Sequence, residues 1–425
     1  MVETKCNGIM VSDDGRLRGL LHKLHQHSNL SSKQKMSMIC KDFAITESQL
    51  DRTIAHNPEV LRTVKGHVAE VALDYVFDST GADIQPVGGD SNVDRIINER
   101  DVQIKTLYVA GTKLDKGIAS YKCHKTHGAK SEREGAEYYE LASEYPDIVV
   151  GLVSLSPFRI LVLLNEEIPR HQIFSDRLLS PFKVNFSEHP GLNNFSRLGI
   201  ENAPDATKIL VSENPDFLPL TATVVGDSLG LRAPLRPDII LETILTEENF
   251  RIWDMSVRGF MRETVFHDRL THNGSRVHPA GLFKRARSNK TDGLLINIRG
   301  VRAYFQMKGL SVNNCNFETG NVGIEVQLSR GRINDHETQS RMYLKSSPAF
   351  NPELGPDFDF LIIAIEPPLS RLLFGHGDWS FHAIPTKDLV SHPSFGHRIK
   401  PIQKFSKADL KRYQIPPTWW RAWQG

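Results

Sequence analysis

Apolar residues recur three and four apart at Leu17, Leu20, Leu21 and Leu24, the spacing of one stripe along a helix, and residues 16 to 65 read as helical. Thr46 followed three residues on by Gln49 has the form of a capping box, so a new helix is expected to start there. With Phe43-Ala44-Ile45 as the joint, two short helices would have the outline of a helix-turn-helix. Ordinary packed helices give the same outline more often than DNA-reading ones do.

The periodicity changes near residue 66. A helix from Gly66 to Val76 leads to Gly81 and then to short apolar runs bounded by turn residues: Val93 to Ile97, Val102 to Leu107, Asp147 to Val153 and Arg159 to Leu164. A polar stretch with Lys122, His124, Lys125, His127 and Lys130 lies between the second and third runs, followed by a helical pattern from Glu132 to Ser143. Residues 180 to 245, rich in Pro, Asn, Asp and Gly, read as an irregular connection with a few strands. The order then recurs: a helix from Phe250 to Leu270, a basic irregular stretch from His278 to Lys290, strands at Asp292 to Ile298, Val301 to Lys308 and Val322 to Leu328, a polar helix from Asp335 to Lys345, and strands at Phe358 to Ile365 and Trp379 to Ile384. The pattern divides the chain into a helical region (1–65), an α/β domain (66–180), a connection (181–249) and a second α/β domain with a C-terminal tail (250–425). Three of the five tryptophans lie in that tail, between Pro416 and Trp423, as expected of a segment that docks on its own domain.

Composition removes several classes. With 40% hydrophobic and 24% charged residues, the 425-residue chain has the profile of a soluble globular protein. No run approaches the about 20 apolar residues of a membrane span, so no membrane partner is expected. The polar N-terminus lacks a signal-peptide pattern, which makes a cytoplasmic location the expectation. Cys6, Cys40, Cys123 and Cys315 form no CxxC pair, and His22, His25, His124, His127, His278 and His382 form no HExxH, so zinc is not supported. No phosphate-binding GxxxxGK[ST] loop and no strand-following GxGxxG occurs. The net charge of +2 does not bear on DNA as a partner, because a phosphate backbone responds to a local basic groove.

The chemistry is carried by a strand pair. Asp94 opens one strand, and Gln103 and Lys105 share a face of the returning one. A carboxylate, an amide oxygen and an amine at one spot suit a Mg²⁺-dependent phosphodiesterase, in which oxygen ligands hold the ion and the amine acts on the attacking water. This arrangement resembles the PD-(D/E)XK, restriction-endonuclease-like superfamily, built on a Glu-bearing helix, an Asp-bearing strand and a (D/E)-x-K strand. Gln103 stands where an acid is usual, a variant found in Mrr-like restriction enzymes and in transposon end-cleaving nucleases, and Glu70 fits the helical position. The pattern recurs at Glu263, Asp292, Gln306 and Lys308, with 16 residues from Asp to Lys against 11 in the first copy. Pro237-Asp238 with Glu242 lacks a matching lysine (Ile244 holds that place) and reads as a decoy.

The resemblance implies two restriction-endonuclease-like domains, each with a mixed central sheet flanked by helices, preceded by a helical region. It implies an endonuclease of a type II-like restriction system that cuts double-stranded DNA with Mg²⁺ or Mn²⁺, leaving a 5′-phosphate and a 3′-hydroxyl. Glu70, Asp94 and Gln103, and likewise Glu263, Asp292 and Gln306, would hold metal, while Lys105 and Lys308 act on the water. Lys284, Arg285, Arg287 and Lys290, with Lys122 and Lys125, are candidate phosphate contacts. Two working centres, or one beside a copy decayed to a scaffold, fit the same pattern. So do a DNA-binding or specificity protein with degenerate sites and a transposon or recombination nuclease needing a partner. The assembly stays open, a homodimer among the alternatives.

Overall fold

A computed structural model describes residues 5–6, 9–10, 30–87, 92–107, 117–123, 139–245, 257–271, 276–279, 291–296, 302–311, 314–317, 319–326, 342–349 and 351–416. It has a mixed α/β architecture whose chain falls into two compact units. The first comprises Ser31–Met36 and Leu50–Val257, and the second Met1–Leu30, Ser37–Gln49 and Arg258–Gly425. Two short strands, β1 (Lys5–Cys6) and β2 (Ile9–Met10), pair antiparallel near the start.

Three helices follow: α1 (Ser32–Phe43), α2 (Glu47–Ala55) and α3 (Pro58–Asp78). The capping box expected at Thr46 is present. The Gln49 N–H donates to Thr46 Oγ1 at 3.1 Å and the Thr46 N–H to Gln49 Oε1 at 2.9 Å. Ala44, with φ 48°, makes the sharp joint before it. Leu50, Asp51, Thr53, Ile54 and Ala55 of α2 are buried, while Glu47, Ser48, Gln49 and Arg52 are partly or fully exposed.

In the first unit the strands are β3 (Ile84–Pro86), β4 (Arg95–Ile97), β5 (Arg100–Thr106), β6 (Ile118–Tyr121), β7 (Ile148–Leu155), β8 (Phe158–Leu164) and β9 (Phe182–Asn185). The main sheet has the order β3-β4-β5-β7-β8, in which only the β5–β7 pair is parallel. β7 is buried along nearly its whole length, which explains its continuous apolar run. β6 pairs with β9 outside this sheet, and α3 packs against β5.

The region expected to be an irregular connection holds three helices: α4 (Ala206–Leu210), α5 (Pro219–Ser228) and α6 (Pro237–Leu245). α6 packs on α3. α5 carries Thr, Val and Gly, poor helix formers, and its N-cap, Leu218, has φ 47° and caps with no side chain. The cap comes from α2 instead: Asp51 accepts from the N–H groups of Leu220 (3.0 Å) and Thr221 (2.8 Å) and from the Thr221 hydroxyl (2.7 Å). Asp51→Ala orphans these donors in a buried place and should cost about 2–3 kcal/mol. Urea titration of the two proteins measures it, and a loss below about 0.5 kcal/mol would show that the cap is dispensable.

The second unit contains α7 (Arg258–Thr271), β10 (Arg276–Pro279), β11 (Gly293–Ile296), β12 (Arg302–Gly309), β13 (Cys315–Asn316), β14 (Asn321–Glu325), β15 (Phe360–Ile365), α8 (Pro367–Phe374), β16 (Ser380–Pro385), β17 (Ile402–Ser406) and α9 (Lys407–Arg412). Its main sheet runs β10-β11-β12-β15-β16, again with one parallel pair, β12–β15, in third place. Strand order and sense match the first unit throughout. The smaller sheets correspond too, β14–β17 matching β6–β9.

Two expected helices differ. Of Glu132 to Ser143, residues 139–141 are extended and 142–144 form a single 3₁₀ turn; of Asp335 to Lys345, residues 342–345 are non-helical. Backbone groups there bond across to Arg177, Leu178, Arg398 and Ile399 and are unavailable to a helical ladder. The rest of both segments, and the tail from 417, lie outside the described residues.

Candidate active site

The hairpin β4–β5 places the first constellation. Ile97 pairs with Arg100, leaving a two-residue turn, Asn98–Glu99, with φ of 47° and 65°. Positive φ at both positions is the mirror-image turn that matches strand twist. Asn98 fastens it, donating from Nδ2 to Leu198 O (2.8 Å) and accepting from the Asp83 N–H (3.0 Å).

Arg95 pairs with Val102, so one further step sets Asp94 opposite Gln103. In the second unit Gly293 pairs with Phe305, which sets Asp292 opposite Gln306. The carboxylates are held alike. Asp94 Oδ2 accepts from the Ile104 N–H at 2.7 Å, and Asp292 Oδ2 from the Met307 N–H at 2.6 Å. Each Asp is thus pinned to the middle residue of its own QxK, despite the different hairpin lengths.

The surroundings differ. Burial and the nearby charge of Glu70 on α3 push Asp94 up from its ordinary 3.8 to about 6, against the opposing pull of Lys105, the Ile104 N–H and Arg95. Glu70 also faces His67 Nδ1 at 3.9 Å. One turn further along α3, Asp74 takes both Arg95 Nε bonds at 2.9 Å, which fixes the strand bearing Asp94 against the helix. Asp292 is likewise raised by burial, but what acts on it is the Met307 N–H, Lys308 and the Gln306 amide, whose Nε2 donates at 2.5 Å. Glu263 sits half-buried on α7 with interactions of its own.

The glutamines face different partners. Gln103 Oε1 accepts from the buried Tyr145 hydroxyl, whereas Gln306 turns its amide NH₂ to Asp292. Lys308 Nζ lies 6.0 Å from the centre of the Tyr343 ring. Tyr145 escaped the sequence reading because it lies 42 residues beyond Gln103. Glu242, set aside as a decoy, accepts from Tyr75 at 2.6 Å and bears on Asp74 beside the site. Lys122 is exposed; Lys125, Lys284, Arg285, Arg287 and Lys290 lie outside the described residues.

As a cation site, the first unit offers two mutually repelling carboxylates on a helix and a strand, a charge imbalance that a divalent ion relieves. No group of three or more His, Cys, Asp or Glu side chains placed to hold a metal occurs among the described residues. No helix among them is long and apolar enough to cross a membrane. Comparison of the chain with protein-family models, with curated proteins and with solved structures finds no match.

Proposed function

We propose that the chain is a Mg²⁺-dependent endonuclease acting on double-stranded DNA, with restriction-endonuclease-like domains, and that the first unit is its working centre. The observation that carries this reading is the pairing of Asp94 with Glu70 beside Lys105, on a strand pair whose geometry the second unit repeats. Asp94 and Glu70 would hold the ion. Bound there, it would supply positive charge against the developing phosphorane and a more acidic water. Gln103, whose Oε1 is engaged by Tyr145, would be less free to ligate than Asp94 and Glu70. Lys105, whose charge acts on Asp94, would orient the attacking water, and the products would be a 5′-phosphate and a 3′-hydroxyl.

The second unit keeps the strand geometry with its Asp satisfied internally, which favours a scaffold or DNA-binding role for that copy. Supercoiled plasmid with Mg²⁺ tests the division. Wild type should nick, open circle accumulating before linear product, since one centre cuts one strand at a time. Asp94→Ala should lower the rate at least about 100-fold. Asp292→Asn should leave it within about threefold, and the double variant should match Asp94→Ala. Equal losses from Asp94→Ala and Asp292→Asn would mean that both centres cut. An unimpaired Asp94→Ala would sink the assignment.

A further inference from the structure

One loop is built twice. After β8 the chain reads His171-Gln-Ile-Phe174-Ser-Asp-Arg177-Leu178, and after β16 it reads His392-Pro-Ser-Phe395-Gly-His-Arg398-Ile399. In both copies the His ring stacks on the Phe ring with centroids 4.9 Å apart. The His N–H donates to the Arg carbonyl at 2.8 Å in both. Arg177 Nη1 donates to Tyr139 O at 2.9 Å, and Arg398 Nη1 to Met342 O at 2.8 Å. The next N–H in each loop, from Leu178 or Ile399, donates to Glu140 O at 3.0 Å or to Tyr343 O at 2.9 Å. Two loops with one hydrogen-bond register identify position 140 of the first unit with position 343 of the second.

Tyr343 shows what that position faces. Lys308 Nζ lies over its ring, and the charge of Asp292, after burial, pushes its phenol up. The position therefore borders the Asp and QxK site. In the first unit it carries an acid: Glu140 is only 4% exposed. A carboxylate so far out of water is costly unless it is well bonded. Its Oε2 accepts from Asn92 Nδ2 at 3.2 Å, and Asn92 lies two residues before Asp94. Its charge also reaches Tyr145, the residue whose hydroxyl holds Gln103.

We propose that Glu140 is a positioning residue of the first unit's site, tethering the Asp94 segment through Asn92 while bordering the Tyr145–Gln103 wall, and that the second copy has exchanged it for Tyr343. The proposal rests on the nuclease reading above. Groups that orient a metal-holding carboxylate contribute about 10- to 100-fold in metal affinity or activity.

The test compares wild type, Glu140→Ala, Glu140→Gln, Asn92→Ala and Asp94→Asn in plasmid cleavage and in calorimetric Mn²⁺ titration without DNA. Glu140→Ala should lower kcat about 10- to 100-fold with KM for DNA within about twofold, and weaken Mn²⁺ about tenfold. Asn92→Ala, cutting the same hydrogen bond from its partly exposed end, should reproduce this. Glu140→Gln, whose amide oxygen still accepts from Asn92, should stay within about threefold on both readouts. Wild-type kcat and Mn²⁺ affinity in Glu140→Ala, with only its melting temperature lowered, would make the residue structural and overturn the proposal. Equal damage from Gln and Ala would overturn it as well, placing the role in the charge. In either case a cutting wild type and a dead Asp94→Asn leave the nuclease reading standing. A wild type that neither cuts nor binds Mn²⁺ ends that reading and this proposal together.

Discussion

Asp94→Asn should abolish DNA cleavage and, in chelator at neutral pH, make the protein more stable than wild type. The side chain keeps an oxygen for the Ile104 N–H, so the pin to β5 survives. What disappears is an ionised carboxylate held in partial burial next to Glu70. The sign follows from the raised pKa. The folded protein binds the Asp94 proton more tightly than the unfolded chain does. The stabilisation this confers is therefore present below about pH 4 and is lost as pH rises through about 6. Two pH units correspond to at most about 3 kcal/mol, and the Asn variant, which does not titrate, escapes that loss. Its advantage in urea midpoint should be small at pH 4, grow between pH 4 and 6 and level off above pH 7. Mg²⁺ should then raise the wild-type midpoint at pH 7.5 while leaving that of the variant unmoved. A variant less stable than wild type at pH 7.5, or an advantage indifferent to pH, would mean that Asp94 is stabilised as an anion, contrary to this account. Greater stability with lost activity is the mark of a residue kept for chemistry.

The largest structural effect is expected at Glu366. This carboxylate, 1% exposed at the end of β15, holds Arg258 Nε at 2.5 Å and Arg262 Nη2 at 2.9 Å. The arginines sit one turn apart on α7, so the triad ties that helix to the end of β15, a strand of the second unit's parallel pair. Arg262 lies flat over Gly309, where any Cβ would come within 2.0 Å of its guanidinium carbon. Glu366→Gln preserves volume but removes the buried negative charge beside Arg258, itself 7% exposed. Breaking a buried ion pair by removing one partner costs about 3–5 kcal/mol, read as a lower denaturation midpoint with early proteolysis inside residues 258–416. Replacing all three residues by apolar ones (Arg258→Met, Arg262→Met and Glu366→Leu together) should recover most of that loss, since a whole buried triad is often worth little against well-packed hydrophobic side chains. A loss below about 1 kcal/mol in Glu366→Gln would show that water reaches the triad.

Much of the site was legible because its logic is local. Gln103 and Lys105 share a strand face by the two-residue period alone, and the Thr46–Gln49 cap spans three residues. The α/β order of each half followed from runs that alternate or stay apolar, and the matching sheets followed from reading that order twice. The irregular reading of residues 180–245 failed for a physical reason. α5 has weak intrinsic helicity and is made by a carboxylate 170 residues away, and α6 is set by the face of α3 that it covers. No window along the chain contains those partners.

By itself, then, the sequence determined which residues alternate, which glutamine and lysine share a face and where each candidate aspartate precedes its strand, because these depend on neighbours a few positions apart. Only the tertiary structure decided which carboxylates stand close enough to repel. Glu70 bears on Asp94, whereas Asp292 is quieted by Gln306 and Met307. It also decided that Glu140 and Tyr343 accept from the same place in two copies of a loop. Charge interaction depends on distance and burial in three dimensions, and the matching spacings of the two halves could not distinguish a carboxylate beside another carboxylate from one already satisfied by its own strand.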